Sequence, residues 1–162
     1  MNIKEAFLNE FNHEAAITRK FIERVPYDKL DFKPHPKSMP MGSLTNHIVE
    51  IVSYWQQVLE NKELNFANKN TFETNTSENL LKSYDQFVEE AQKAIQNYDE
   101  NQYSNLCEAK AGDKVFFTMP IYNICRTIIL NHWIHHRAQL GTYLRQLDLP
   151  VPGAYGPSAD EV

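Results

Sequence analysis

The chain has 162 residues, 42% of them hydrophobic and 23% charged, which suits one domain able to bury roughly 70% of its unfolded surface without covalent staples. Lys and Arg number 16 against 21 Asp and Glu, for a net charge of −5, and no basic run could track a phosphate backbone or an anionic membrane, so nucleic acid and membrane are excluded as partners. No apolar run reaches the roughly 18 residues of a membrane span. Cys107 and Cys125 form no CxxC, and the start "MNIKEAFLNEFNHEA" lacks the basic and apolar regions of a secretory leader; the expectation is a soluble cytoplasmic protein with free thiols.

Four stretches carry helical periodicity, and almost all Pro and Gly falls between them, which predicts an all-α chain. Helix 1 is expected over about residues 2–25, with Ile3, Phe7, Phe11, Ala15, Thr18 and Ile22 on one face and Pro26 marking its end. A proline-rich connection, "PYDKLDFKPHPKSMPMG", leads to Ser43 as the expected cap of helix 2, whose stripe is Leu44, His47, Ile48, Ile51, Tyr54, Trp55 and Val58. The Asn-rich "NKELNFANKNTFETNT" is polar and aperiodic. Thr76 or Ser77 then caps helix 3, with Leu80, Leu81, Tyr84, Phe87, Val88, Ala91, Ile95 and Tyr98. An irregular connection, "DENQYSNLCEAKAGDKVFFTM", precedes Pro120, which opens helix 4; its pattern continues to about Arg145, and the tail "DLPVPGAYGPSADEV" is too rich in Pro and Gly to be helical.

Four amphipathic helices of about 20 residues bury their stripes most simply as a four-helix bundle. The connection between helices 2 and 3, about 16 residues, reaches roughly 50 Å when extended, so a crossover is permitted beside plain up-down order.

Three of the six histidines fall within "HWIHH" of helix 4. At roughly 100° per residue, His132 sits at the centre of the stripe with Ile121, Cys125, Gln139 and Tyr143 within about 20°, and His136 about 40° away. His135 lies about 60° from His132, while Trp133 and Arg137 are expected further round, at the rim or in solvent. The i, i+4 pair His132/His136 can hold two adjacent sites on one ion, as in HExxH, although Trp133 stands where that motif has Glu. His47 is the other histidine placed inside a helix stripe and can supply a third ligand. Three imidazoles with an open fourth position suit catalysis on a divalent ion such as zinc or nickel. The alternative is that the histidines are hydrogen-bonded core residues, although three inward imidazoles would each need partners in an apolar bundle. His13, off the stripe, and His35, between two prolines, are read as ordinary surface residues, Cys125 as a small buried residue, Cys107 as a loop residue, and Tyr54, Trp55 and Tyr143 as core.

Three segments, "KPHPKSMPMGSLTNHIVEIVSYW", "NHWIHHRAQLGTYLR" and "VPGAYGPSADE", resemble the signature regions of the DinB/YfiT family, and with the helix layout the resemblance covers nearly the whole chain. It implies a single domain over residues 1–162, a bundle of up-down-down-up topology with the crossover between helices 2 and 3, and often a homodimer. The family's metal-binding histidines fall on His47, His132 and His136. Some members are S-transferases using a low-molecular-weight thiol such as bacillithiol, mycothiol or glutathione, many have no known substrate, and the ion varies among zinc, nickel and others.

The expected chemistry is that of a metal-dependent enzyme, a thiol S-transferase or a hydrolase, acting on a small electrophile. Glu50, one turn beyond His47, is a candidate for proton handling or for supporting the ligand, and Gln139, one turn beyond His136, for orienting ligand or substrate. The competing reading is a non-catalytic module that binds a metal or small molecule.

Overall fold

The first helix begins where the sequence offers a reciprocal cap. Asn2 accepts a hydrogen bond from the Glu5 amide at 2.8 Å, and the Glu5 carboxylate accepts one from the Asn2 amide at 3.2 Å. The computed structural model describes residues 2–68 and 76–161. In it α1 spans Ile3–Ile22, α2 Met41–Asn61 and α3 Ser77–Asn97. The last helix, α4, is composite over residues 121–146: α-helical Ile121–Asn123, π-helical Ile124–Asn131 and α-helical His132–Gln146.

The four helices fall where periodicity places them. α1 stops at Ile22, short of Pro26; Thr76 caps α3 by accepting from the Asn79 amide at 3.1 Å; and α4 opens directly after Pro120. The start of α2 differs from expectation. Ser43 lies inside its first turn and is no cap, because Pro40 already supplies the extended residue before the helix (φ −57°, ψ 148°) and the Met41 and Gly42 amides donate to the carbonyls of Phe32 and Leu30.

The all-α expectation is corrected by a three-stranded sheet in order β1-β2-β3: β1 Glu63–Asn65, β2 Leu106–Ala111 and β3 Lys114–Pro120. β2 and β3 form a hairpin in register Cys107↔Met119 and Ala109↔Phe117. Its turn is possible because Gly112 takes φ +58°, the first position of a two-residue hairpin loop that favours glycine. Cys107 and Ala109 point into the core while Leu106 and Glu108 face out, the period of two that a half-buried strand requires. Cys107 therefore lies on a strand, not in a loop. β1 pairs parallel to β2 through Leu64↔Ala109 and is further tied by the Lys110–Glu63 ion pair at 2.7 Å. The Asn-rich segment thus starts with a strand; its residues 69–75 lie outside the described residues.

Aromatic packing joins the helices. The Phe11 ring meets Trp55 of α2 edge-on at 5.7 Å and stacks on Trp133 of α4 at 5.6 Å, while Tyr84 of α3 reaches Trp133 at 6.3 Å and donates its hydroxyl to the Ala15 carbonyl at 2.8 Å. Tyr54, Trp55 and Tyr143 are core residues, as expected.

Helical phase in α4 is a second correction. Trp133 is 0% and Arg137 2% exposed, so both face the core and neither lies at the rim. The buried line of this segment runs Trp133, Arg137, Leu140, Leu144, and His132 and His136 sit along its edge. The cause lies upstream: the π-helical i→i+5 ladder turns the chain less per residue than the α ladder, so residues 121–128 do not extrapolate to 132 at a constant angle. No described helix is long and apolar enough to cross a membrane.

Candidate metal centre

α2 and α4 bring three histidines to one point. His47 Nε2 lies 3.3 Å from His132 Nε2, and His136 Nε2 lies 2.8 Å from the same atom. Among the described residues, His47, His132 and His136 form the one group of three ligating side chains close enough to share an ion, with ligand atoms all within 4.8 Å of one another. The rings meet edge-on, with centroids 4.5 to 5.0 Å apart.

The other ring nitrogen of each histidine is turned outward onto an oxygen. His132 Nδ1 is 3.2 Å from the Ile128 carbonyl, His136 Nδ1 is 2.7 Å from Gln139 Oε1, and His47 Nδ1 is 3.4 Å from a Glu50 carboxylate oxygen. A carbonyl, an amide oxygen and a carboxylate can only accept, so each Nδ1 carries the proton and each Nε2 is left with a bare lone pair. Three lone pairs directed at one another repel unless a positive charge stands between them. Tetrahedral ligation by imidazoles at about 2.0–2.1 Å sets ligand nitrogens roughly 3.3 Å apart. The donor set fits a divalent transition ion, held by neutral imidazoles whose outer nitrogens are fixed by hydrogen bonds.

Electrostatics favours the same protonation state. Burial, reinforced by the neighbouring His136 and His47, pushes His132 down to about 4; burial likewise lowers His136, partly opposed by its bond to Gln139. The centre also opens to solvent. The side chains of His47 and Glu50 are 26% and 23% exposed, which gives an incoming small molecule a way to the converging nitrogens.

The remaining candidates divide clearly. Glu50 and Gln139 each touch a histidine of the cluster, as their one-turn spacing suggests. His135 is exposed, with its ring 5.1 Å from that of His136, and lies outside the ligand group. Cys125 is fully buried, its thiol pushed up by desolvation, and it is not part of the cluster; burial likewise pushes Cys107 up to about 11. Both thiols are free. His13 and His35 are exposed.

One buried assembly was not foreseen. Arg137 Nη1 donates to Glu14 Oε2 at 2.5 Å and to Thr18 Oγ1 at 3.2 Å, and its Nη2 donates to the Tyr155 hydroxyl at 2.8 Å. Its signal was Glu14 itself, a carboxylate in phase with Phe7, Phe11, Thr18 and Ile22 on the apolar face of α1, where a charge requires a partner.

Comparison with known proteins agrees with this architecture. The DinB family model matches residues 1–162. YrdA, an uncharacterized protein of Bacillus subtilis (strain 168), is 26% identical over 157 residues, spanning 96% of this chain and 89% of its own. A DinB-like protein from Bacillus cereus ATCC 10987 superposes with a TM-score of 0.70 at 22% identity, covering 93% of this chain and 97% of its own. The DinB-like YjoA of Bacillus subtilis gives a TM-score of 0.71 at 19% identity, covering 96% and 98%.

Proposed function

The chain belongs to the DinB family, and on that premise we propose that it is a metal-dependent enzyme in which His47, His132 and His136 hold one divalent ion, zinc or nickel, through their Nε2 atoms. The observation that carries this reading is the placement of the ring nitrogens: every outer nitrogen faces an oxygen acceptor and every inner nitrogen faces the common point. Three protein ligands leave a position open, the mark of a catalytic rather than a structural site.

A divalent ion bound there supplies Lewis acidity, lowering the pKa of a water or thiol at the open position. The chain's own residues do the rest. Gln139 holds the His136 ring in its plane, and the Ile128 carbonyl does the same for His132. Glu50 makes only a long contact to His47, 3.4 Å, and is partly open to solvent, so it can orient that ring and also take up the proton released when a thiol or water binds. The reaction class is conjugation of a low-molecular-weight thiol to a small electrophile, or hydrolysis of an activated small substrate.

The reading includes a cytoplasmic homodimer, for which the exposed Ile3, Leu106, Val115, Phe116 and Tyr122 offer apolar surface, and an up-down-down-up helix order, which the long connection before α3 permits. The test is a panel of thiols and electrophiles assayed with metal-loaded protein. Rates above background that vanish in His47→Ala are expected; equal rates in both proteins throughout would replace the enzyme with a binding module.

A further inference from the structure

Arg137 follows a ligand histidine directly, yet its side chain leaves the centre and runs across to α1. There it is 2% exposed, beside a 3% exposed Glu14, and makes four hydrogen bonds. Its Nη1 donates to Glu14 Oε2 (2.5 Å), Thr18 Oγ1 (3.2 Å) and the Glu14 carbonyl (3.4 Å); its Nη2 donates to the Tyr155 hydroxyl (2.8 Å), which itself donates to Glu14 Oε1 (2.9 Å). The guanidinium lies 5.4 Å from the Tyr155 ring centroid and 6.0 Å from that of Phe21. A planar fork held on both edges and beside two rings has one orientation, and the backbone bearing it has little freedom to rotate.

That rigidity stands immediately downstream of a weak stretch. Residues Ile124–Asn131 are π-helical, a bonding pattern that competes poorly with the α form and whose conversion would turn everything beyond it about the helix axis. His132 begins the α-helical part, and its Nδ1 uses the Ile128 carbonyl of the π stretch while its backbone amide donates to Ile129. Aiming of His132 and His136 therefore depends on what fixes the rotation of α4 at this turn. The C-terminal strap takes part: residues 148–161 lie back on the helices, tied at their far end by Arg145–Asp160 at 2.6 Å, by Asp160 to the Val151 amide at 2.8 Å and by Glu161 to the Gly153 amide at 2.9 Å, and separately by the Tyr155 hydroxyl, which has its own hydrogen bonds to Arg137 and Glu14.

We propose that Arg137, clamped by Glu14, Thr18 and Tyr155, is the pin that sets the rotation of α4 below its π-helical stretch and so aims His132 and His136, which makes Tyr155 of the C-terminal strap a positioning residue of the metal centre. The proposal rests on the metal reading above only for its consequence; the aiming of the rings exists without an ion.

The experiment compares full-length wild type, Tyr155→Phe and Asp160→Asn. Tyr155→Phe deletes one hydroxyl of the clamp and keeps the ring, whereas Asp160→Asn loosens the strap without touching Arg137. Two readouts are taken: the imidazole nitrogen resonances of His132 and His136 in metal-free protein, and the affinity and visible spectrum of cobalt(II) added as the probe. Tyr155→Phe is expected to shift both histidine resonances, to weaken cobalt binding about tenfold, as one lost hydrogen bond to a charged group allows, and to alter the spectrum. Asp160→Asn is expected to match wild type in both readouts at whatever melting temperature it has. Unchanged resonances in Tyr155→Phe would overturn the pin, and so would equal changes in both variants, which would make the strap a general support. Should wild type bind no cobalt while the Tyr155→Phe resonances still move, the metal reading falls and the pin stands.

Discussion

Replacing Arg137 with Met tests the buried clamp on α1 and α4 through stability alone. The substitution preserves most of the side-chain volume but leaves Glu14, 3% exposed, as a carboxylate without its cation, and removes the donors that satisfy Thr18 and Tyr155. Breaking a buried pair by deleting one partner costs about 3–5 kcal/mol, which for a domain of this size lowers the melting temperature by roughly 10 °C. The double variant Glu14→Gln, Arg137→Met removes both charges and should regain most of the loss. Thermal and urea unfolding of the three proteins at neutral pH measures this. A deficit below about 1 kcal/mol in Arg137→Met, with no recovery in the double variant, would show that the pair carries little and would refute the reasoning.

Three further outcomes follow from the site and its supports. Gln139→Ala removes the acceptor that holds His136 Nδ1 at 2.7 Å and should weaken metal binding about 10–100-fold with little change in the metal-free melting temperature; calorimetry reads the first and a thermal scan the second. Metal-free protein should lose stability as pH falls from the ordinary histidine value near 6.5 toward about 4, because the unfolded chain takes up a proton that the depressed His132 refuses, and His132→Asn should flatten that part of the profile. Gly141→Ala puts a Cβ 3.0 Å from the Phe21 ring and 3.5 Å from the Val151 side chain that packs the strap down, and should cost about 1–3 kcal/mol in urea unfolding, as overpacking does.

The legible parts of this chain are those with long periods. Phe7, Phe11, Thr18 and Ile22, or Leu80, Tyr84, Ala91 and Ile95, repeat over enough turns to define a helix and its buried face. The convergence of His47, His132 and His136 was legible too, because the i, i+4 pair is local and His47 sits on a helix of its own. What escaped depends on partners distant in sequence. A three-residue β1 exists only because β2 pairs with it, and the alternation of Leu106–Ala111 is too short to stand out from an irregular connection until Gly112 is taken as a hairpin turn. The burial of Trp133 and Arg137 was misread because a constant 100° step was carried through residues 124–131, where the helix is π. Ser43, a good cap by type, was displaced by Pro40 and by long-range bonds to Phe32 and Leu30.

The central claim, that one ion is held by the three inward nitrogens, is tested most directly by metal content per chain. Protein purified without a metal-binding tag and incubated with zinc or nickel would be measured for wild type and for His47→Ala, His132→Ala, His136→Ala and His135→Ala. About one ion per chain is expected in wild type and in His135→Ala, and none held tightly in the other three, because two imidazoles make a poor site. A wild type that binds no ion, or loss of metal in His135→Ala with retention in His136→Ala, would contradict the assignment.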